Sequence, residues 1–205
     1  MPIRKERVLS LVINYIFFAF AILMVSCKTL SKEKHMYNVI NAALSNLADK
    51  DSIYLNPFII TIDDKKRKEI KIYGIDTQSC YSLIEEISST YISKETVRNE
   101  WNYSKIENQN IITELKIKNV QSIERYNKIA EKTEDKQALI ARKFMFWNAE
   151  NGKSMVQLSY PLFNKAKNLA LVYCSKYNDG EFVLLMESKT KENWEVICTK
   201  RLSHY

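Results

Sequence analysis

The N-terminal segment constrains this chain more than any other part of its sequence. Arg4, Lys5 and Arg7 stand against a single acidic residue, and an almost wholly apolar run follows from Val8 to Val25. A short cationic stretch before an apolar core is typical of a secretory signal. The cationic end stays in the cytoplasm while the apolar run enters the membrane. We therefore expect the rest of the chain to lie outside the cytoplasm.

The residues that close the apolar run indicate how it is processed. Leu23-Met24-Val25-Ser26-Cys27 resembles a bacterial lipobox, in which a small residue precedes the cysteine that becomes lipidated. The resemblance implies that residues 1–26 are a lipoprotein signal peptide and that the mature chain begins at Cys27. Several acyl chains hold a protein firmly on a membrane, whereas one chain binds only marginally. The alternative is an uncleaved signal anchor, because 18 residues at 1.5 Å each span about 27 Å.

Charge and composition exclude several classes of function. Removal of residues 1–26 takes away three basic residues and one acidic residue. The mature chain keeps 28 basic and 23 acidic residues, a net charge of +5. This diffuse charge suits a surface near anionic lipid and does not indicate a nucleic-acid partner. Only three Gly residues are present, and the two His residues, His35 and His204, lie near opposite ends of the mature chain. We therefore expect no glycine-loop nucleotide site, no histidine-rich metal centre and no cofactor.

The N-terminal half of the mature chain is predicted to be mainly helical. Residues 27–34 form a polar tether, and residues 35–205 form one α+β domain. A helix over residues 35–48 carries a stripe with a period of 3.6 residues: Met36, Val39, Ile40, Ala43, Leu44 and Leu47. A second helix follows Asp76, with Leu83, Ile84, Ile87 and Tyr91 on its buried face, and a third covers Ser122 to Lys132.

Two strand pairs are predicted from apolar runs and turn residues. Ser52 to Ile62 is a strand interrupted at Pro57, which indicates an edge position or a bulge. Asp63 to Glu69 is then a charged, solvated hairpin tip that contains Lys65-Lys66-Arg67-Lys68, and Ile70 to Tyr73 is the returning strand. Ile111 to Val120 is a further candidate strand.

The last sixty residues predict a β-meander. Asn151-Gly152 favours a type I′ turn, and Asn178-Asp179-Gly180 is the sharpest hairpin signal in the chain. Short connections force neighbouring strands to be antiparallel. The predicted strands are Phe144–Trp147, Ser154–Tyr160, Leu169–Tyr177, Glu181–Ser188 and Trp194–Lys200. One buried face, covered by the N-terminal helices, is expected to hold Val156, Leu158, Leu169, Leu171, Val183, Leu185, Val196 and Cys198.

Three segments of this C-terminal half carry a family resemblance. They are Ser159-Tyr160-Pro161-Leu162-Phe163-Asn164, Leu169-Ala170-Leu171-Val172-Tyr173 and Asn193-Trp194-Glu195-Val196-Ile197. Together with the lipobox, they resemble small lipoproteins of Bacteroidota type. The resemblance implies a lipid-anchored envelope protein, and it supplies no active site to carry over. Related sequences often place Cys-Gly pairs between the two central strands, where this chain has only Cys174.

The same segments supply the candidate ligand site. Tyr160, Phe163, Tyr173 and Trp194 are either core residues or the walls of an aromatic ligand cleft. Aromatic residues on strands are usually core, which favours packing over a cleft. Pro161 is expected to end the strand before it because proline cannot donate to a ladder. Phe163 would then pack at the corner, and Trp194 would cap the final strand.

The remaining chemistry is sparse. Cys80, Cys174 and Cys198 are odd in number, so one disulfide leaves one thiol. If the last three strands are neighbours in order, Cys174 and Cys198 lie about 9.6 Å apart, beyond the limit of about 7 Å for bridging. Free thiols are therefore favoured, with a Cys174–Cys198 bridge as the alternative. The common hydrolase, protease and phosphate-loop motifs are absent from the sequence.

These observations predict a non-enzymatic, membrane-anchored domain that binds a ligand or an envelope protein. Lys28-Thr29-Leu30-Ser31 lacks the acidic runs that favour export to the cell surface, so we expect the periplasmic face of the outer membrane. One alternative is a hydrolase whose acidic residues assemble only in the fold, for instance Asp76 or Glu187 with a tyrosine. Another is a small-molecule carrier with a cavity between helix 35–48 and the sheet.

Overall fold

A computed structural model describes residues 33–48, 51–63, 65, 66, 68, 70, 80, 83, 84, 87, 99–190 and 192–203. The signal segment, Cys27, Asp76, Tyr91 and His204 lie outside these residues. Within them the chain adopts the α+β fold predicted from the sequence, with helices against a mostly antiparallel sheet of seven strands.

Helices and short strands form the first part of the described chain, and the long strands come last. The helices described from end to end are α1 (residues 33–47), α2 (Val120–Ala130) and α3 (Lys136–Asn151), and a 3₁₀ turn covers Tyr103–Lys105. The strands are β1 (Ile53–Leu55), β2 (Ile111–Ile112), β3 (Met155–Leu158), β4 (Leu162–Phe163), β5 (Leu169–Lys176), β6 (Gly180–Ser188) and β7 (Trp194–Ser203).

The sheet combines a predicted meander with a parallel edge that was not predicted. The strand order is β2-β1-β3-β5-β6-β7, and β4 also pairs with β5. β5, β6 and β7 pair antiparallel as expected, whereas β1 runs parallel to both β2 and β3. Asn178 and Gly180 take positive φ angles of 72° and 87° at the tight β5–β6 connection. Asn and Gly tolerate that conformation, which is why this hairpin could be predicted.

The first predicted helix is confirmed, and so is the centre of its buried stripe, whereas Met36 and Leu47 at the ends of the stripe are only partly buried. Val39, Ile40, Ala43 and Leu44 in α1 are fully buried. α1 packs against β7, which joins the start of the domain to its last strand.

The strand predicted at Phe144–Trp147 is wrong, because these residues lie within α3. The Asp135 side chain caps this helix by accepting from the backbone N–H of Gln137 at 2.8 Å. Gly152 ends it at φ 61°, and its N–H donates to the Asn148 carbonyl. A helix C-cap and a type I′ turn both need a positive φ, so Asn151-Gly152 fits either structure.

The hairpin predicted over residues 63–73 is also wrong where the structure describes it. Residues 65, 66, 68 and 70 are helical, and Ile70 is fully buried. Asp63 Oδ1 accepts from the backbone N–H of Lys66 at 2.8 Å, which is the bond an N-cap side chain makes. Lysine is a good helix former, which suits the helical conformation of Lys65, Lys66 and Lys68 after Asp63. Residues 71–73 lie outside the described part of the chain.

Two smaller corrections concern β1 and β2. β1 has neighbours on both sides, so Pro57 does not lie on an edge strand. It interrupts the chain beyond β1 instead, where Asn56 Oδ1 accepts from the N–H of Phe58 at 3.0 Å. The strand expected from Ile111 to Val120 is only two residues long. Asn119 then caps α2 by accepting from the N–H of Ser122 at 3.0 Å, and α2 matches the helix predicted there.

The sheet is buried on both faces, so the single buried face predicted from the sequence is wrong. One face carries Leu169, Leu171, Tyr173, Val183 and Leu185, and Ile84 and Ile87 pack against it. Leu158 lies opposite Cys174, and Val196 lies opposite Met186, which places them on the other face. Val156, two residues from Leu158, shares that second face. Buried positions run without alternation along β5 and β6, so the sequence could not identify one core face.

Candidate functional site

The four aromatic residues predicted as a cleft do not come together. Phe163 and Trp194 meet edge to face with ring centroids 5.9 Å apart. Tyr160 packs instead against Trp101 at 5.4 Å. Phe163 lies opposite Ala170, three residues from Tyr173, so Tyr173 points to the other face of the sheet. Phe163 packs beside Trp194, and Trp194 is the first residue of β7.

Tyr173 takes part in a polar cluster that the sequence did not reveal. Lys66 Nζ donates to the Tyr173 hydroxyl at 2.7 Å and pairs with Glu181 Oε1 at 3.2 Å. The Lys66 side chain is only 27% exposed and that of Glu181 only 18%, so this charge pair is partly desolvated. Lys66 therefore does not lie on a solvated hairpin tip. The cluster ties the helical residues after Asp63 to β5 and β6.

A polar groove lies among the described residues. It has a volume of about 260 Å³ and is open to solvent. That is below the range of about 300–1,000 Å³ that is common for small-molecule sites. Three segments line it: Asn38, Asn41, Ala42 and Ser45 from α1, Glu107 and Asn108 from the loop before β2, and Glu192, Asn193 and Trp194 from the β6–β7 turn.

Helix geometry explains why α1 presents polar residues to this groove. Asn38, Asn41 and Ser45 are spaced three and four residues apart, which places them along one side of the helix. The buried Val39, Ile40, Ala43 and Leu44 occupy the side that packs into the core. Burial of the apolar stripe therefore fixes the direction in which the asparagines point.

Hydrogen bonds hold the loop wall of the groove in place. Asn41 Nδ2 donates to the Lys105 carbonyl at 3.0 Å, and its Oδ1 accepts from the N–H of Glu107 at 3.1 Å. Asn108 Nδ2 donates to Ser45 Oγ at 3.1 Å. These bonds join α1 to a loop more than sixty residues away in sequence. The wall is therefore formed before any ligand arrives.

The third wall is the β6–β7 turn. The N–H of Lys189 donates to the Asn193 carbonyl at 2.9 Å, and the N–H of Asn193 donates to Thr190 Oγ1 at 3.1 Å. Trp194 is 4% exposed, so its indole offers the groove very little surface. A hydrogen bond with Glu187 at 2.6 Å raises the pKa of Lys189 just outside the groove.

The groove is rich in oxygen and amide groups and contains two carboxylates, Glu107 and Glu192. No cluster of three or more metal-ligating His, Cys, Asp or Glu side chains occurs in the part of the chain that the structure describes. Glu187 on β6, a candidate acid in the hydrolase alternative, forms an ion pair with Lys189. It does not line the groove. Asp76 lies outside the described residues.

The described cysteines are all free, and the strand spacing had favoured free thiols over a Cys174–Cys198 bridge. Cys174 is fully buried, and burial raises the pKa of its thiol well above the ordinary value. Cys198 is opposite Leu185 and Cys174 is opposite Phe182, so the two side chains point to opposite faces of the sheet. Cys80 and Cys198 are partly exposed, which the expectation of buried thiols did not include.

Comparison with known proteins adds no family assignment. No family model, curated protein or solved structure matches this chain. Among the described residues, no helix combines the length and the apolar character that crossing a bilayer requires.

Sequence reasoning identified one groove residue, Trp194, and missed the others. Their signal was the spacing of Asn38, Asn41 and Ser45 on the polar side of a helix whose buried stripe was recognised. A polar helix side is usually solvated surface, so the pattern alone does not indicate a site.

Proposed function

We propose that this chain is a lipid-anchored binding protein of the bacterial cell envelope. The observation that carries the proposal is the order of three features: Arg4, Lys5 and Arg7, the apolar run Val8–Val25, and the lipobox-like sequence ending at Cys27. Cleavage before Cys27 and acylation of that residue fasten the domain to a membrane. The absence of acidic runs after Cys27 supports the periplasmic face of the outer membrane.

Binding is favoured over catalysis by the character of the groove. Its walls come from three segments that hydrogen bonds hold together, and carboxamides outnumber ionisable side chains on its surface. Carboxamides donate and accept hydrogen bonds, but they do not exchange protons at neutral pH. The alternative of a hydrolase is kept because Glu107 and Glu192 line the same groove.

Intact-mass measurement of the full-length gene product from a bacterial membrane fraction tests the anchor. We expect a chain that begins at residue 27 and carries acyl chains. Cys27→Ser should abolish both the cleavage and the added mass, whereas the matched control Cys80→Ser should change neither. An N-terminal Met1 without acylation in the wild-type protein contradicts the proposal. So does a Cys27→Ser protein that remains in the membrane fraction at the mature size.

Protease accessibility tests the assigned leaflet. On the periplasmic face of the outer membrane, the domain resists protease added to intact cells and is cut after the outer membrane is permeabilised. Cleavage in intact cells would place the domain on the cell surface and overturn the assignment.

A further inference from the structure

We propose that the polar groove binds a neutral, hydroxyl-rich molecule with the size of a single sugar ring. This inference deepens the proposed binding function and rests on it for the location of the protein. The groove itself is defined by residues of α1, the loop before β2 and the β6–β7 turn.

The first argument is the set of groups that remain available. Asn41, Asn108 and Ser45 use hydrogen bonds to hold the walls together. By contrast, the side chains of Asn38 and Asn193 make no hydrogen bond to other described residues, although both line the groove. Each carboxamide offers N–H donors beside a carbonyl acceptor. Adjacent hydroxyl groups of a sugar present the same pairing of donor and acceptor.

The second argument is the charge of the groove. Glu107 repels an anionic ligand, and an apolar ligand would leave the carboxamides of Asn38 and Asn193 without partners. A cation would suit the Glu107 carboxylate, but it would leave the N–H donors of Asn38 and Asn193 without acceptors. A neutral polyol satisfies both kinds of group, because its hydroxyls donate to the carboxylate and accept from the amides.

The third argument is size. A volume of about 260 Å³ open to solvent accommodates one small ring and excludes an oligomer from full enclosure. Trp194 exposes too little of its indole to stack against a ring, so affinity depends on hydrogen bonds exchanged for those with water. Such exchanges contribute little net free energy. We therefore expect a dissociation constant of about 1 mM.

Saturation-transfer NMR detects binding of this strength. The mature protein is held in a zwitterionic detergent that contains no sugar. The probes are D-glucose, D-galactose and N-acetyl-D-glucosamine, with lysine as a cationic probe and succinate as an anionic probe. We expect transfer to at least one sugar and none to succinate or lysine.

Matched variants locate the binding. A double variant with Asn38→Ala and Asn193→Ala should weaken sugar binding at least tenfold. Asn127→Ala, which removes an exposed carboxamide from α2, should leave it unchanged. Circular dichroism checks that each variant keeps its fold. The inference is overturned if no sugar receives transfer, or if only lysine does. It is also overturned if the double variant and Asn127→Ala bind the sugar equally well.

The same protein separates failure of this inference from failure of the proposed function. A correctly acylated mature chain without sugar transfer overturns only the ligand class. Hydrolysis of maltose that is lost in Glu107→Gln would support a sugar site in the groove. It would also overturn the non-enzymatic part of the proposed function.

Discussion

The cluster formed by Lys66, Tyr173 and Glu181 allows the sharpest test of how the fold is held together. Tyr173→Phe removes the hydroxyl that accepts from Lys66 Nζ at 2.7 Å and keeps the volume of the buried ring. The ion pair with Glu181 at 3.2 Å remains, and so does the approach of Nζ to within 4.4 Å of the ring centroid. A hydrogen bond to a charged group contributes about 1.5–3 kcal/mol. Because Lys66 keeps its other partners, we expect a loss of about 1.5 kcal/mol.

Lys66→Met shows whether this loss belongs to the pair. It removes both bonds and leaves the partly buried Glu181 carboxylate without this cation, so we expect a loss of about 2–3 kcal/mol. In the Lys66→Met protein, Tyr173→Phe should then cost less than about 0.5 kcal/mol.

Urea unfolding followed by circular dichroism measures these values, provided the slope of the transition stays constant among the variants. Tyr177→Phe is the matched control, since Tyr177 is 43% exposed and its hydroxyl makes no hydrogen bond to other described residues. We expect a change within about 0.5 kcal/mol for that control. Equal costs for Tyr173→Phe with and without Lys66 would refute the reasoning, because the hydroxyl would then act independently of the ammonium.

Three further predictions concern the core and its titratable groups. Phe144→Ala should lower the free energy of unfolding by about 3–5 kcal/mol, because Phe144 is buried in an aromatic cluster. Urea unfolding measures this loss. The control Met145→Ala, at an exposed position on the same helix, should lower it by less than about 1 kcal/mol. In the native protein a thiol reagent should modify the partly exposed Cys198, while Cys174 should react only after unfolding, and equal rates would contradict its burial. Burial raises the pKa of Tyr103 above its ordinary value of 10.0. The stability that its neutral phenol provides is complete below pH 10.0 and is lost as the pH rises from there towards the folded pKa. Above pH 10.0 the urea midpoint should therefore fall less steeply with pH in Tyr103→Phe than in the wild-type protein.

Local signals predicted the parts of the fold that local physics determines. The stripe in α1 is an uninterrupted 3.6-residue pattern, and its four central residues are buried. The β5–β6 connection has Asn178 and Gly180 where positive φ angles are required. In both cases the preference of a few consecutive residues agrees with the tertiary structure, so no long-range information was needed.

The wrong predictions arose where one local pattern suits two structures. Phe144 and Trp147 lie within a short apolar run, which periodicity cannot assign to a strand or a helix. In the structure, Phe144 on α3 stacks on Tyr54 of β1 with ring centroids 6.1 Å apart, a long-range contact that the apolar run alone does not indicate. The charged run after Asp63 was similarly ambiguous. There the deciding partners are Tyr173 and Glu181, more than a hundred residues further along the chain.

The groove shows why a site can escape detection even when its supporting helix is predicted correctly. Asn38, Glu107 and Asn193 are far apart in sequence, and none belongs to a recognisable motif. They meet because α1 packs against β7, which brings the polar side of the helix to the turn where β7 begins. Asn41 then fixes the loop at Glu107 by donating and accepting at once. Asn41→Ala should therefore release the loop wall and weaken ligand binding through the loss of that wall, whereas Asn38→Ala should remove a hydrogen-bonding group from the groove and leave the wall in place. Hydrogen exchange at the Glu107 amide distinguishes the two variants: it should accelerate in Asn41→Ala and stay unchanged in Asn38→Ala, and the same rate in both would show that Asn41 does not hold the wall.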